Sequence, residues 1–347
     1  MAIVAPPNLL TGSGLPRRFA AVPESLSEIA RRHDCKWAGP DIPISSFLPL
    51  SALSRLEANA APLTYLSAVR FADGLHDLRG VVVVTKPDLR HLVPDGNAVL
   101  LCEGSPHDMF YTLLTEAIEQ RRFETLPSHI SSSADVSPHA FLAEGVYVDH
   151  EAVIGPGAVV LGGTYVGRGV VIKPNATVGG DGFENAVIAN RRRIVPHAGG
   201  VWIAEGANVG SSTCLDKGLF GDFTYVGAYT NIDNLVHFAH AATCGTGCSL
   251  VACCEVSGSV RLGDGVWVGP SACINQRLTV GSHCYIGSGS VVTRNLPAYS
   301  LAYGSPAKIA AQVCACRAKL QFVDGRAACE ICGNRYRLTV EGVVIAA

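Results

Sequence analysis

Between Ile130 and Val292 the apolar positions return with a period of six. An aliphatic residue recurs at Ile130, Val136, Leu142, Val148, Ile154, Val160, Val166, Ile172 and Val178. Four residues after most of these stands a small or β-branched residue: Ala134, Ala140, Val146, Ala152, Ala158, Thr164, Val170 and Ala176. The phase breaks near Gly179 and resumes at Ile203, Val209 and Leu215. One spacing then reads as a residue short. From Val226 the beat continues through Ile232, Phe238, Cys244, Leu250, Val256, Leu262, Val268, Ile274, Val280 and Ile286 to Val292. A period of six fits neither an amphipathic helix, near 3.6, nor a simple strand, at 2.

It fits a solenoid in which each hexad is one short flat strand and a turn. Three such sides close a triangular coil of about 18 residues, the geometry of the hexapeptide left-handed parallel β-helix. The large aliphatic points inward, the small residue fits the corner, and Gly often follows the aliphatic, as at Ile154-Gly155 and Val268-Gly269, where turns need unusual dihedrals. The expected fold is mainly β. A flexible leader (1–23) and a small α/β domain (24–127) precede the β-helix (128–300), which carries a loop insertion at 179–202; an extension (301–347) follows. Within the α/β domain, Leu26 to His33 and Met109 to Arg121 read as helical, and Gly80 to Thr85 and Ala98 to Cys102 as strands.

The extension contains Cys314-Ala315-Cys316 and, after twelve residues, Cys329-Glu330-Ile331-Cys332-Gly333. Two close pairs at that separation bring four thiolates around one tetrahedral Zn²⁺, so the tail is expected to be zinc-ribbon-like with a structural metal. The alternative is four free or disulfide-paired cysteines. No fifth polar ligand stands nearby, which argues against a catalytic metal there.

Composition narrows the function classes. Hydrophobic residues make up 48% and charged ones 16%, a balance that goes with a packed core rather than with disorder. The formal net charge is −2 and no dense Lys/Arg run occurs, so nucleic acid is not an expected partner. No apolar stretch reaches membrane-span length; Val81-Val82-Val83-Val84 runs into Thr85, Lys86 and Asp88. Met1 to Pro23 reads as a loose leader rather than a signal peptide, and thirteen cysteines in a chain of this length as buried thiols or metal ligands. A cytoplasmic location is the expectation.

With the small domain followed by repeats, residues from about 24 to 295 resemble the UDP-3-O-acylglucosamine N-acyltransferases of lipid A synthesis. The sharpest segment is Ile232-Asp233-Asn234-Leu235-Val236-His237-Phe238-Ala239-His240. In that family an Ile-Asp-Asn opening leads to the catalytic histidine, six residues beyond the Asn and after an Ala, which the resemblance maps onto His240. Gly179-Gly180-Asp181-Gly182-Phe183 is similar to the family's Gly-x-Asp-Gly-Phe loop, bringing Asp181 and Phe183 to the substrate site. The implied chemistry is amide formation from an acyl thioester and an amine. It needs a base with pKa near neutrality and an N–H donor for the oxyanion. Gly258, 18 positions after His240, is expected beside it one coil on, and the family places its oxyanion donor at that offset. Asp233 is read either as orienting the imidazole or as bracing a turn. His237 is read as a substrate contact or a solvated rim position.

Three departures separate the chain from that family. Its second histidine, in Asn-Gly-His, is replaced in Ile274-Asn275-Gln276-Arg277, where Arg277 is suited to a phosphate or carboxylate but not to proton abstraction. In the segment resembling the family's uracil-binding stretch, Tyr65 and Phe71 keep stacking surfaces while Ala68 replaces the Asn. Near the end of the repeats, Gly304-Ser305-Pro306-Ala307-Lys308 resembles the Gly-Asn-Pro-Ala-Lys segment of acetyl-CoA-dependent sugar acetyltransferases, and Lys308 is a candidate for a CoA phosphate. The expectation is therefore an N-acyltransferase acting on a nucleotide-linked amino sugar or a similar amine. Its donor is acyl-CoA or an acyl carrier protein, and its assembly a homotrimer. Two other classes compete. One is a catalytically inactive β-helix scaffold. The other is a γ-carbonic-anhydrase-like zinc enzyme, disfavoured because that family pairs histidines five apart while His237 and His240 are three apart.

Overall fold

The computed structural model describes residues 16–55, 61–188, 191–339 and 342–345. From His129 onward, three parallel sheets form the walls of a left-handed β-helical prism. Most of its strands are only two residues long, such as His237–Phe238 and Glu255–Val256. His237 pairs with Glu255 and Glu255 with Cys273, so corresponding residues of successive coils lie 18 apart. Most strands send one residue inward, and Val160, Val178, Leu215, Phe238, Val256 and Ile274 are fully buried in a single core. Ile130 is 53% exposed, and Val136 and Leu142 are half-buried, because the first coil has none beneath it.

Between Leu215 and Val226 the structure differs from the reading of a shortened repeat. The two are consecutive inward residues of adjoining strands, Cys214–Asp216 and Phe223–Val226, and the turn joining them is widened into a loop. The larger phase break, between Thr177–Gly180 and Gly200–Ile203, occupies the same corner one coil earlier. It holds an antiparallel hairpin of Asn185–Ile188 and Arg191–Ile194. Both extrusions reach the small domain: Ala186, Ile188, Val195 and Leu219 join one core with Phe47, Phe110 and Tyr111.

That domain is a five-stranded sheet in the spatial order 36–38, 98–101, 82–85, 62–66 and 46–47. Only the first pairing is antiparallel. Ser25 caps the helix Leu26–Arg32 in a capping box with Glu28, which satisfies two otherwise orphaned backbone N–H groups. The helix Pro106–Glu119 buries Phe110, Leu113, Leu114 and Ala117 along one face. Residues 1–15 of the expected leader lie outside the described residues. The rest of it is not loose: Phe19 is buried, meets Phe223 edge-on at 4.7 Å, and its N–H donates to the Gly221 carbonyl. Phe19 covers the outer edge of an aromatic ladder, Tyr147, Tyr165, Trp202 and Phe223, on one wall of the prism. Burial of an aromatic ring outweighs the chain entropy lost there.

At the far end, Ser300–Gly304 adds to a wall of the prism and turns back as Ala307–Val313. A small antiparallel sheet of 326–328, 335–339 and 342–345 follows. Tyr336 packs edge-on against Tyr299 at 5.1 Å, and the Arg317 guanidinium lies 4.2 Å from the Trp267 ring centre. Among the described residues no helix is long and apolar enough to cross a membrane.

The core makes a direct prediction. Leu250 is 1% exposed, and truncation to Ala leaves a cavity between coils that cannot collapse independently. Leu250→Ala should lower unfolding free energy by about 2–5 kcal/mol, read from the denaturation midpoint.

Candidate functional site

The corner that extrudes both loops continues upward as a plain turn in the next three coils. His240, Gly258 and Gln276 occupy equivalent positions there. Ala241, Ser259 and Arg277 follow them with left-handed φ of 56°, 60° and 63°. The stack is tight. A Cβ on Gly258 would lie 2.6 Å from His240 Nε2 and 2.8 Å from Cε1, so only glycine lets the imidazole sit there. The Ser259 N–H donates to the His240 carbonyl at 2.9 Å, while the Gly258 N–H has no acceptor among the described residues.

The extruded loop closes over the other side of the ring. A Cβ on Gly182 would meet His240 Cδ2 at 2.9 Å and His197 Nε2 at 3.0 Å. Asp181 accepts from the His197 backbone N–H at 3.1 Å and pairs with Lys217 at 3.0 Å, so its carboxylate ties the two extruded loops together. Phe183 beyond it is 75% exposed and lines the cleft.

That cleft, about 800 Å³, lies between the corner stack, the extruded loops and the small domain. It brings together His237, His240, Gly258 and Arg277 from the β-helix with Tyr65 and Phe71 from the small domain and Phe183 from the insertion. Tyr65 is half-buried, 5.1 Å from the Phe110 ring and 5.5 Å from His107; burial raises its pKa. Phe71 is 45% exposed beneath the Arg70 guanidinium. His237 Nε2 bonds Asp216 at 2.9 Å, and this partner raises its pKa.

Asp181, expected at the substrate site, does not line the cleft, its carboxylate being taken up by His197 and Lys217, and two further candidates fall elsewhere. Asp233 stands at the preceding corner of the coil, where it accepts from the N–H groups of Asn234 and Ala252, and His240 Nδ1 is buried without a partner. It braces a turn and does not orient His240, since one side of the prism separates them. Lys308 is exposed on the terminal hairpin and does not line the cleft.

Several residues of the site carried no motif. His197 is 2% exposed, its ring centre 5.3 Å from that of His240 and nearly perpendicular to it. Burial first, and then the His240 charge, lowers its pKa. Tyr111 donates to Glu184 at 3.2 Å and lines the cleft, and burial raises its pKa. The one available signal for His197 was its position inside the phase break.

The cysteines of the extension also converge. The sulfurs of Cys314, Cys316, Cys329 and Cys332 all lie within 4.8 Å of one another. Cys314 Sγ receives the Cys316 N–H at 3.4 Å and lies 3.0 Å from the Tyr336 hydroxyl. An all-sulfur set of four suits a zinc ion.

Residues 259–294 match the bacterial transferase hexapeptide family (six repeats). A UDP-3-O-acylglucosamine N-acyltransferase of Campylobacter curvus is 34% identical over 79% of this chain and 90% of its own length. That of Campylobacter concisus is 35% identical over 78% and 90% respectively. A dTDP-3-amino-3,6-dideoxy-alpha-D-galactopyranose 3-N-acetyltransferase of Aneurinibacillus thermoaerophilus is 41% identical over 26% of this chain and 46% of its own. A likeness that runs through the small domain and the prism alike, at this identity, makes the chain an acyltransferase belonging to the UDP-3-O-acylglucosamine N-acyltransferase family.

Proposed function

We propose that the protein transfers an acyl group from a thioester donor to the amine of a nucleotide-linked amino sugar, with His240 as general base. The observation that carries this reading is the contact of His240 Nε2 with Gly258 at the wall of a cleft shared with the small domain. The amine nitrogen attacks the thioester carbonyl carbon while its proton passes to His240 Nε2. The carbonyl oxygen becomes an oxyanion facing the free N–H of Gly258. Collapse restores the carbonyl and breaks the carbon–sulfur bond, and the departing thiolate takes the proton from His240.

Names of the relatives support a nucleotide-linked acceptor, since one acts on a UDP sugar and another on a dTDP sugar. Tyr65 and Phe71 offer rings for the base, and Arg277, a cation at the cleft's edge, suits the diphosphate. His237, held by Asp216, presents a donor toward the sugar; Phe183 covers it. The donor is read as a short acyl-CoA or an acyl carrier protein; Lys308 lies outside the cleft. A homotrimer is the assembly proposed, because triangular prisms associate about a three-fold axis. In the extension, the four cysteines would hold zinc, which when bound cross-links Cys314 and Cys316 to Cys329 and Cys332 and so braces a small sheet with little core of its own.

Two predictions follow from these assignments. His240→Ala should reduce kcat on an amino-sugar nucleotide and an acyl thioester on the order of 10²–10⁴-fold, followed as thiol release, with its assembly state unchanged. Unaltered turnover would remove His240 as the base. Metal analysis of the purified protein should find one zinc per chain, and Cys329→Ser should lose it and expose the extension to limited proteolysis. A metal-free wild type would contradict the zinc assignment.

A further inference from the structure

His197 has no place in the reaction just described, yet its side chain is almost wholly buried and packs against His240. Its Nδ1 lies 2.9 Å from the Val195 carbonyl. A carbonyl only accepts, so Nδ1 carries the proton; burial disfavours the charged ring, and in the neutral one Nε2 presents a lone pair. That Nε2 is buried and has no partner among the described residues. Neither has the buried Nδ1 of His240. Buried nitrogens without a partner are rare, and here two belong to adjoining rings whose centres are 5.3 Å apart. The charges nearest them are already spent on each other in the Asp181–Lys217 ion pair.

The two histidines meet at one point, the place where Gly182 lacks a side chain: His240 Cδ2 and His197 Nε2 both lie within 3.0 Å of a Cβ built there. A half-turn of the His240 ring about Cβ–Cγ exchanges Cδ2 for Nδ1 and so turns Nδ1 toward His197. The same rotation exchanges Cε1 for Nε2 at Gly258, and both of those atoms already touch it. A nitrogen therefore faces Gly258 in either orientation.

We infer that His197 is a positioning residue, whose Nε2 accepts a hydrogen bond from His240 Nδ1–H and so holds His240 in the tautomer with a free Nε2 lone pair. The inference rests on His240 being the base. A neutral imidazole then does the work a carboxylate does for other histidine bases. It also explains why the loop at Gly182 tolerates no side chain: a Cβ would stand between the two rings.

The test uses the full-length protein labelled with ¹⁵N-histidine, with the His240 resonances identified by their loss in His240→Ala. In the wild type His240 should be the Nδ1–H tautomer, and in His197→Leu it should revert to Nε2–H. In turnover, His197→Leu should lower kcat on the order of 10²-fold with KM within about two-fold. His197→Gln, whose carbonyl oxygen can accept the same proton, should recover kcat to within about ten-fold of the wild type. An Nε2–H wild-type tautomer overturns the inference even if His197→Leu does not fold. So does wild-type kcat in His197→Leu, or a His197→Gln as slow as the Leu variant. Turnover indifferent to His240→Ala removes the base and the inference together. Turnover that needs His240 but ignores His197 removes the inference alone.

Discussion

The burial of one aliphatic side chain per strand, coil upon coil, is the constraint on which the rest of this structure depends. Val160, Val178, Leu215, Phe238, Val256 and Ile274 occupy one wall's inner face with essentially no solvent exposure. A strand of two residues has too few hydrogen bonds to hold its own register. The inward residue holds it instead, because slipping by one position would turn an apolar side chain outward and a polar one into the core. With register locked, a side chain at a corner inherits its neighbours from the coils above and below. His240 must meet Gly258, and Gly258 must precede Gln276 and Arg277.

The same locking makes a corner the one place where chain can be added without disturbing the prism. The insertion after Thr177–Gly180 and the widened turn after Cys214–Asp216 leave from one corner on consecutive coils, and the site sits on the next coil up. Their apolar residues complete the core of the small domain, so the cleft has a fixed roof as well as a fixed floor. Phe19, packed on the aromatic ladder, adds to this hold, since its N–H donates to the Gly221 carbonyl of the widened turn. Chemistry at His240 is thus held by both extruded loops, which the Asp181–Lys217 pair ties together.

How much of this the sequence disclosed follows from which forces are local. The prism was legible because each hexad repeats its own pattern of apolar, turn and small residues. The adjacency of His240 and Gly258 was legible for the same reason, being a consequence of an 18-residue period. The widened turn was misread as a shortened repeat, since an extrusion leaves no apolar beat of its own. Asp233 looked close to His240 in sequence, yet seven positions carry the chain around one corner of the triangle, and its carboxylate serves Asn234 and Ala252. His197 was invisible for a tertiary reason: it reaches the site only because a hairpin, packed on the small domain, folds its return strand back over the coil. Phe19 was hidden too, because its partners on the aromatic ladder are distant in sequence.

The most direct measurement of the central claim is a crystal structure with a nucleotide-linked amino sugar bound. The account predicts the sugar amine within hydrogen-bonding reach of His240 Nε2, about 2.6–3.2 Å, with the nucleotide extending toward Tyr65 and Phe71. An amine held away from His240, or a nucleotide bound outside this cleft, would contradict it.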